Sequence, residues 1–164
     1  MFDPLFLWLE STAFSIWMRE SPSLLAFPGI LAAHTIGLGL LAGLNGAMDL
    51  RLLGVARDIP VIAFRRFVPL MWLGLWINAL SGLALLLAYP TKALTNPVFY
   101  LKLALIVGNL VLLRVMLQRT QASSSASGLR LLAALSLIGW AVVITAGRLL
   151  AYTCTRLLVD ERCL

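Results

Sequence analysis

Four long stretches of the chain are almost entirely apolar, and short segments with polar residues or proline separate them. They cover residues 24–48, 67–89, 97–117 and 129–152. A helix needs roughly 20 consecutive, mostly apolar residues to cross a bilayer, and each stretch meets this length. The pattern therefore predicts an all-α integral membrane protein, in which residues 21–164 form a four-helix transmembrane bundle.

The segment before these stretches, residues 1–20, has a different pattern. Ser11, Ser15 and Arg19 fall on one helix face, and apolar residues such as Trp8 fall on the opposite face. The segment lacks the basic start and the small-residue cleavage site of a signal peptide. We therefore expect it to be retained, and to lie along the membrane surface as one interfacial amphipathic helix.

Composition agrees with the hydropathy pattern. Of 164 residues, 61% are hydrophobic and 12% are charged, and the mean hydropathy is +0.96. The formal charge of +6 comes from basic residues near the first and third predicted loops, which are Arg51, Arg57, Arg65, Arg66, Arg114, Arg119 and Arg130. Loops rich in arginine face the cytoplasm. We expect a bacterial inner-membrane protein with both termini outside, the lipid bilayer as its partner and no nucleic acid bound.

Cysteine and histidine spacing gives little support for a metal site. The chain has neither a CxxC nor an HxxxH pattern, so neither a zinc site nor an iron–sulfur site is indicated. Cys154 and Cys163 fall in the predicted outward-facing tail, where they could form a disulfide or remain free thiols. Residues 123–127 read as a flexible linker.

Polar residues inside the predicted spans are the first candidates for function, because a bilayer offers them no water. His34 is the single histidine of the chain, and at 1.5 Å per residue it lies about 15 Å inside the first span. The same count places Asn78, Ser81, Lys102 and Arg148 in the same half of the bundle. The sequence predicts a polar cluster in this half of the bundle.

Each candidate also has a structural explanation. Lys102 and Arg148 could extend to the headgroups, and Asn78 could simply join two helices by a hydrogen bond. Trp76 and Tyr100 are expected beside the cluster, where an aromatic surface would suit a flat ligand, although aromatic residues more often pack in a core.

Further along the first span, small and polar residues suggest two structural roles. Gly39 and Gly43, four residues apart and with Gly37 and Gly46 nearby, predict a stripe for close approach by another helix or a flat ligand. Asn45 and Asp49 follow, and Asp49 is expected to pair with Arg51, Arg65 or Arg66.

Much of the chain resembles a family of small bacterial membrane proteins known as a domain of unknown function. The resemblance covers residues 7–105 and rests on WLESTAFSIWMRESPSLLAFPGILAAHTIGLGLLAG, DLRLLGVA, RRFVPLMWLGLWINALSG and AYPTKALTNPVFYLKLAL. It implies a multi-pass membrane protein and brings no established activity.

A more distant resemblance suggests a cofactor. HTIGLGLLAG and VFYLKLALIVGNLVLL are similar to segments of the copper-resistance D membrane domain and of HemJ-type protoporphyrinogen oxidases. In the HemJ type, a membrane histidine and a lysine early in a later helix are implicated in haem binding. The resemblance implies these roles for His34 and Lys102.

Three functions follow as hypotheses. The first is binding of a b-type haem, with His34 on the iron and with Lys102 and Arg148 neutralising the propionates, in support of electron transfer or tetrapyrrole oxidation. The second is a quinone-binding accessory subunit of a membrane redox complex, with His34 or Lys102 bonded to a quinone carbonyl and Trp76 against the ring. The third is a non-enzymatic membrane scaffold, alone or as a homo-oligomer.

Whether the protein is an enzyme stays open at this point. No serine and histidine share a depth with an orienting carboxylate, and no loop has a phosphate-binding pattern. The sequence therefore argues against a hydrolase, a kinase or a nucleotide-dependent transporter.

Overall fold

The computed structural model describes residues 3–120 and 126–152, and these residues form helices and short connections without a strand. The helices are α1 (Asp3–Glu10), α2 (Ala13–Glu20), α3 (Phe27–Leu53), α4 (Val68–Ala88), α5 (Pro90–Leu94), α6 (Pro97–Arg119) and α7 (Ala126–Tyr152), with a 3₁₀ segment, Val61–Phe67, leading into α4. The all-α prediction is confirmed. Residues 121–125 and the tail with Cys154 and Cys163 lie outside the described residues.

Four helical stretches are long and apolar enough to cross a membrane. They are Phe27–Leu53, Val61–Ala88, Pro97–Arg119 and Ser127–Tyr152. Large apolar side chains are exposed on all four, as expected where a helix surface faces lipid rather than water. The four predicted spans are therefore confirmed as the membrane-spanning part of a four-helix bundle.

The ends of the spans follow local backbone chemistry more than hydropathy. The first span starts and ends later than predicted, because Pro28 occupies the first turn of α3 and Gly54 ends it with a left-handed φ of 110°. Asn96 caps α6, since its side-chain oxygen accepts a hydrogen bond of 2.9 Å from the Val98 N–H.

The four long helices form a curved row in the order α4, α3, α7, α6. The most extensive contacts join α3 to α4, α6 to α7, and α3 to α7, whereas α4 and α6 make at most slight contact. One side of the bundle, between α4 and α6, is consequently open. We call the end of the bundle that carries α1, α2 and α5 the proximal end, and the opposite end the distal end.

The N-terminal segment is two short helices instead of the single amphipathic helix expected. The chain breaks at Ser11 and Thr12, and the Thr12 hydroxyl caps α2. The polar face lies against the bundle: Arg19 donates hydrogen bonds to the carbonyl oxygens of Glu10 at 2.7 Å and Ala88 at 3.0 Å. Trp8, on the apolar face, is 63% exposed. The polar face of this segment is therefore the face that packs against α4.

Glycines bring α3 and α4 into backbone contact. A Cβ atom added at Gly37 would lie 2.6 Å from the Asn78 nitrogen, and one added at Gly74 would lie 2.8 Å from the Gly37 carbonyl oxygen. No side chain fits at either position without moving a helix. The close approach expected at Gly39 and Gly43 is not observed, since neither has a neighbour within 4 Å at its Cβ position.

This contact predicts that Gly37→Ala destabilises the protein by about 1–3 kcal/mol, the usual cost of overpacking. Gly39→Ala is the matched control on the same helix. It gains the same helix propensity and meets open space, so its stability should match or slightly exceed that of the wild type. Denaturant unfolding in detergent measures both variants. Equal stability of the two would contradict the packing described for α3 and α4.

Candidate functional site

His34 lies where α3, α4 and α6 meet, toward the proximal end of the bundle. Its Nδ1 is 3.0 Å from the backbone oxygen of Asn78 and 3.1 Å from the Ser81 Oγ. Its Nε2 faces the Nζ of Lys102 at 3.4 Å. The imidazole therefore links polar groups from three membrane-spanning helices.

The hydrogen bonds determine which nitrogen of His34 carries the proton. A backbone carbonyl only accepts, so the Nδ1–H must donate to Asn78. The Ser81 hydroxyl donates to the Ile77 carbonyl at 2.6 Å, which leaves its oxygen free to accept from the same Nδ1–H. The neutral imidazole then has its lone pair on Nε2, where it can accept a hydrogen bond from the Lys102 ammonium.

Residues of α4 and α7 lie against the half-buried His34–Lys102 pair. The Asn78 side chain donates a 2.8 Å hydrogen bond back to the His34 carbonyl. Gly82 lies against the ring, because a Cβ there would be 3.1 Å from the His34 Cε1, and the Cβ position of Gly147 is 3.6 Å from the Lys102 Nζ. Gly82 and Gly147 were missed in the sequence, since a residue without a side chain gives no chemical signal.

Of the predicted site residues, the structure brings together His34, Asn78, Ser81 and Lys102. Trp76 is instead 61% exposed on the outer face of α4. Arg148 is exposed, and its guanidinium contacts the Tyr152 ring, 5.7 Å from the ring centroid, at the last turn of α7.

A groove occupies the open side of the bundle between α4 and α6. Its volume is about 450 Å³, and it lies on the distal side of the His34–Lys102 pair. Its lining is almost wholly apolar, and includes Leu41, Met71, Trp72, Leu75, Val111 and Leu113, with Arg114 as the one charged residue. The volume falls within the range of small-molecule sites.

The groove and the His34–Lys102 pair lie along the same helix faces. Leu41 lies seven residues after His34, and Leu113 lies eleven residues after Lys102. Both intervals are close to whole numbers of helical turns, at 3.6 residues per turn. On α4, Leu75 likewise lies seven residues before Gly82, which contacts the ring. A line drawn along the groove toward the proximal end therefore reaches the imidazole and the ammonium.

A second polar cluster lies in the distal half, where an Asp49–arginine pair was expected. The Asp49 Oδ2 accepts a hydrogen bond from the Asn45 Nδ2 at 2.6 Å. Arg51 turns away, and donates to the backbone oxygens of Ile59 and, at 2.8 Å, Arg57. The expected pairing with Arg51 is therefore wrong, because the loop carbonyls satisfy that guanidinium outside the bundle.

Known proteins give no independent guide to the site. A scan against protein-family models, a search of curated proteins and a search of solved structures each found no match. Within residues 3–120 and 126–152, no group of three or more His, Cys, Asp or Glu could hold a metal ion. The two polar clusters and the groove are the features of the described residues that bear on function.

The reciprocal bonds between His34 and Asn78 predict a modest stability effect. Asn78→Leu keeps the side-chain volume and removes the bond to the His34 carbonyl, so we expect a loss of about 1 kcal/mol. Thr35→Val is the control, since the Thr35 hydroxyl bonds only its own helix, at the Leu31 carbonyl, and should be nearly neutral. Denaturant unfolding compares the two variants. If Thr35→Val cost as much as Asn78→Leu, the bond between α3 and α4 would contribute nothing specific.

Proposed function

We propose that this membrane-spanning helical protein binds an isoprenoid quinone, with the quinone ring at His34 and Lys102 and the tail in the groove between α4 and α6. The observation that carries the proposal is the alignment of an apolar, laterally open groove with a polar pair at its proximal end. A ligand that matches this arrangement has a small polar head and a long apolar tail.

Lys102 supplies the chemistry for the head group. Its ammonium has three N–H donors, and the 3.4 Å separation from the His34 Nε2 makes only a weak hydrogen bond. The other N–H groups of Lys102 are available to donate to a quinone carbonyl, which is a neutral acceptor. A quinone would thus satisfy a cation inside the membrane without adding a second buried charge.

The groove supplies the site for the tail. Its apolar lining and its opening toward lipid, where α4 and α6 barely touch, let a hydrophobic chain enter sideways from the bilayer. Arg114 lies at the distal end of the lining, near the membrane surface. The wall of the groove between Arg114 and the His34–Lys102 pair is therefore apolar.

The geometry supports a haem at His34 less well. Nε2 is the ring atom left to form an axial bond to iron. The Lys102 Nζ lies 3.4 Å from Nε2, in the place that the iron would need. Arg148, the predicted propionate partner, faces Tyr152 instead. The residues in this arrangement do not fit a haem, and the haem expectation continues to rest on the distant resemblance alone.

The head-group contact can be tested with protein purified in detergent and with matched lysine variants. Organic extraction and chromatography give the ratio of quinone to phospholipid, which should exceed that of the source membrane. Lys102→Met removes a charge-assisted hydrogen bond worth about 1.5–3 kcal/mol, so quinone affinity should fall by roughly 10-fold to 100-fold. Lys92→Met, which changes the lysine on α5, should leave quinone affinity unchanged.

An unenriched quinone ratio in the wild type would contradict the proposal. An absorption spectrum of the same preparation, oxidised and dithionite-reduced, separates the alternative: a Soret band that disappears in His34→Ala would establish a haem and overturn the quinone assignment.

If the quinone tail lies in the groove, a substitution that fills the groove should weaken binding of long-tail quinones more than of short-tail ones. Val111→Trp fills part of the groove, so it should weaken binding of a long-tail quinone at least 10-fold and leave a quinone analogue with a very short tail nearly unaffected. Val142→Trp, at a position on α7 that is 40% exposed, is the control and should change neither. Quenching of tryptophan fluorescence by the quinone measures the affinities. Equal weakening of both ligands would place the tail elsewhere.

A further inference from the structure

The distal polar cluster contains a carboxyl group that is wholly enclosed in the membrane-spanning bundle. Asp49 and Asn45 lie one turn apart on α3, and Ser136 faces them from α7; all three are 0% exposed. The Asn45 Nδ2 lies 2.6 Å from the Asp49 Oδ2 and 2.9 Å from the Ser136 Oγ. The cluster thus joins α3 to α7 as the His34 cluster joins α3 to α4.

Two acceptor oxygens of this cluster have no donor among the described residues. They are the Oδ1 of Asp49 and the Oδ1 of Asn45, and both are buried. A buried acceptor without a donor costs free energy, and an ionised carboxylate costs far more. The cluster therefore offers little to stabilise an ionised Asp49, and a proton on its carboxyl would remove the buried negative charge.

The shortest contact in the cluster fits such a proton. A separation of 2.6 Å is short for N–H···O, which spans about 2.7–3.2 Å, and ordinary for O–H···O. Rotating the Asn45 amide by half a turn exchanges its nitrogen and oxygen. A protonated Asp49 then donates to the Asn45 oxygen across this distance, and the Ser136 hydroxyl can donate to the same oxygen.

Charged groups on the surrounding elements lie outside the cluster. Arg51, on the same helix, donates to loop carbonyls, and α4 contains no charged residue. The arginines of the 3₁₀ segment, of α6 and of α7 are all exposed; they are Arg65, Arg66, Arg114, Arg119, Arg130 and Arg148. The Lys102 ammonium belongs to the proximal half, beside His34. An ionised Asp49 would therefore lie in a cluster whose other two members, Asn45 and Ser136, are neutral.

We propose that Asp49, Asn45 and Ser136 form a proton-binding site inside the distal half of the membrane, with the proton held between the Asp49 carboxyl and the Asn45 amide. The site is separate from the ligand proposed at His34 and Lys102, and does not depend on it. It gives the bundle a group that can take up and release a proton near its distal surface.

Infrared spectroscopy tests the proposal directly, because a protonated carboxyl has a C=O band that ionised carboxylates lack. An aspartate in water, with a pKa of about 3.9, gives no such band at pH 7. We expect the full-length protein in detergent to show the band at pH 7, shifted to lower frequency in D₂O. Asp49→Asn should abolish it, whereas Asp58→Asn, which changes an exposed loop carboxyl, should leave it unchanged.

Two further variants keep the result decisive. Glu10 is also 0% exposed, so Glu10→Gln shows whether the band belongs to that carboxyl instead. Ser136→Ala, a mild change, should shift the band by altering the hydrogen bonds of Asn45, and serves if Asp49→Asn does not fold. Absence of the band at pH 7 in folded wild type, its loss in Glu10→Gln, or an unshifted band in Ser136→Ala would each overturn the proposal.

Discussion

The backbone contact between α3 and α4 at Gly37 and Gly74 is the constraint on which the candidate site depends. Because neither residue has a side chain, the two helices approach until the Gly37 Cβ position is 2.6 Å from the Asn78 nitrogen. At this distance the Asn78 carbonyl is within reach of the His34 ring, one turn away along α3. The position of the imidazole, its tautomer and the direction of its lone pair toward Lys102 all follow from a contact between two glycines.

Polar groups then divide the bundle interior into two levels. Near the proximal end, His34 joins α3, α4 and α6, and in the distal half Asn45 and Asp49 join α3 to α7 through Ser136. Because lipid provides no competing hydrogen bonds, each level holds its helices together and excludes alternative rotations. The row leaves α4 and α6 apart, and this gap is the path by which a lipid-soluble ligand would reach the proximal level.

The sequence predicted depth well and helix rotation poorly. The rise of 1.5 Å per residue placed His34, Asn78, Ser81 and Lys102 in the same half of the bundle, and the structure brings them together. Trp76 and Arg148 were expected in that half too, but both are exposed, because the face each helix buries depends on packing against its neighbours. Hydropathy found the four spans. The capping residues that moved the ends of α3 carry no hydropathy signal, and neither do Gly82 and Gly147, which lie against His34 and Lys102.

Photo-crosslinking with a quinone that carries a photoreactive group on its ring would identify the residues around the bound head group. We expect irradiation of the protein in lipid bilayers to label peptides from the proximal halves of α3 and α6, around His34 and Lys102, and excess unlabelled quinone to prevent the labelling. Labelling that excess quinone does not reduce, or that is confined to lipid-facing positions such as Trp76, would contradict a head-group site at the His34–Lys102 pair.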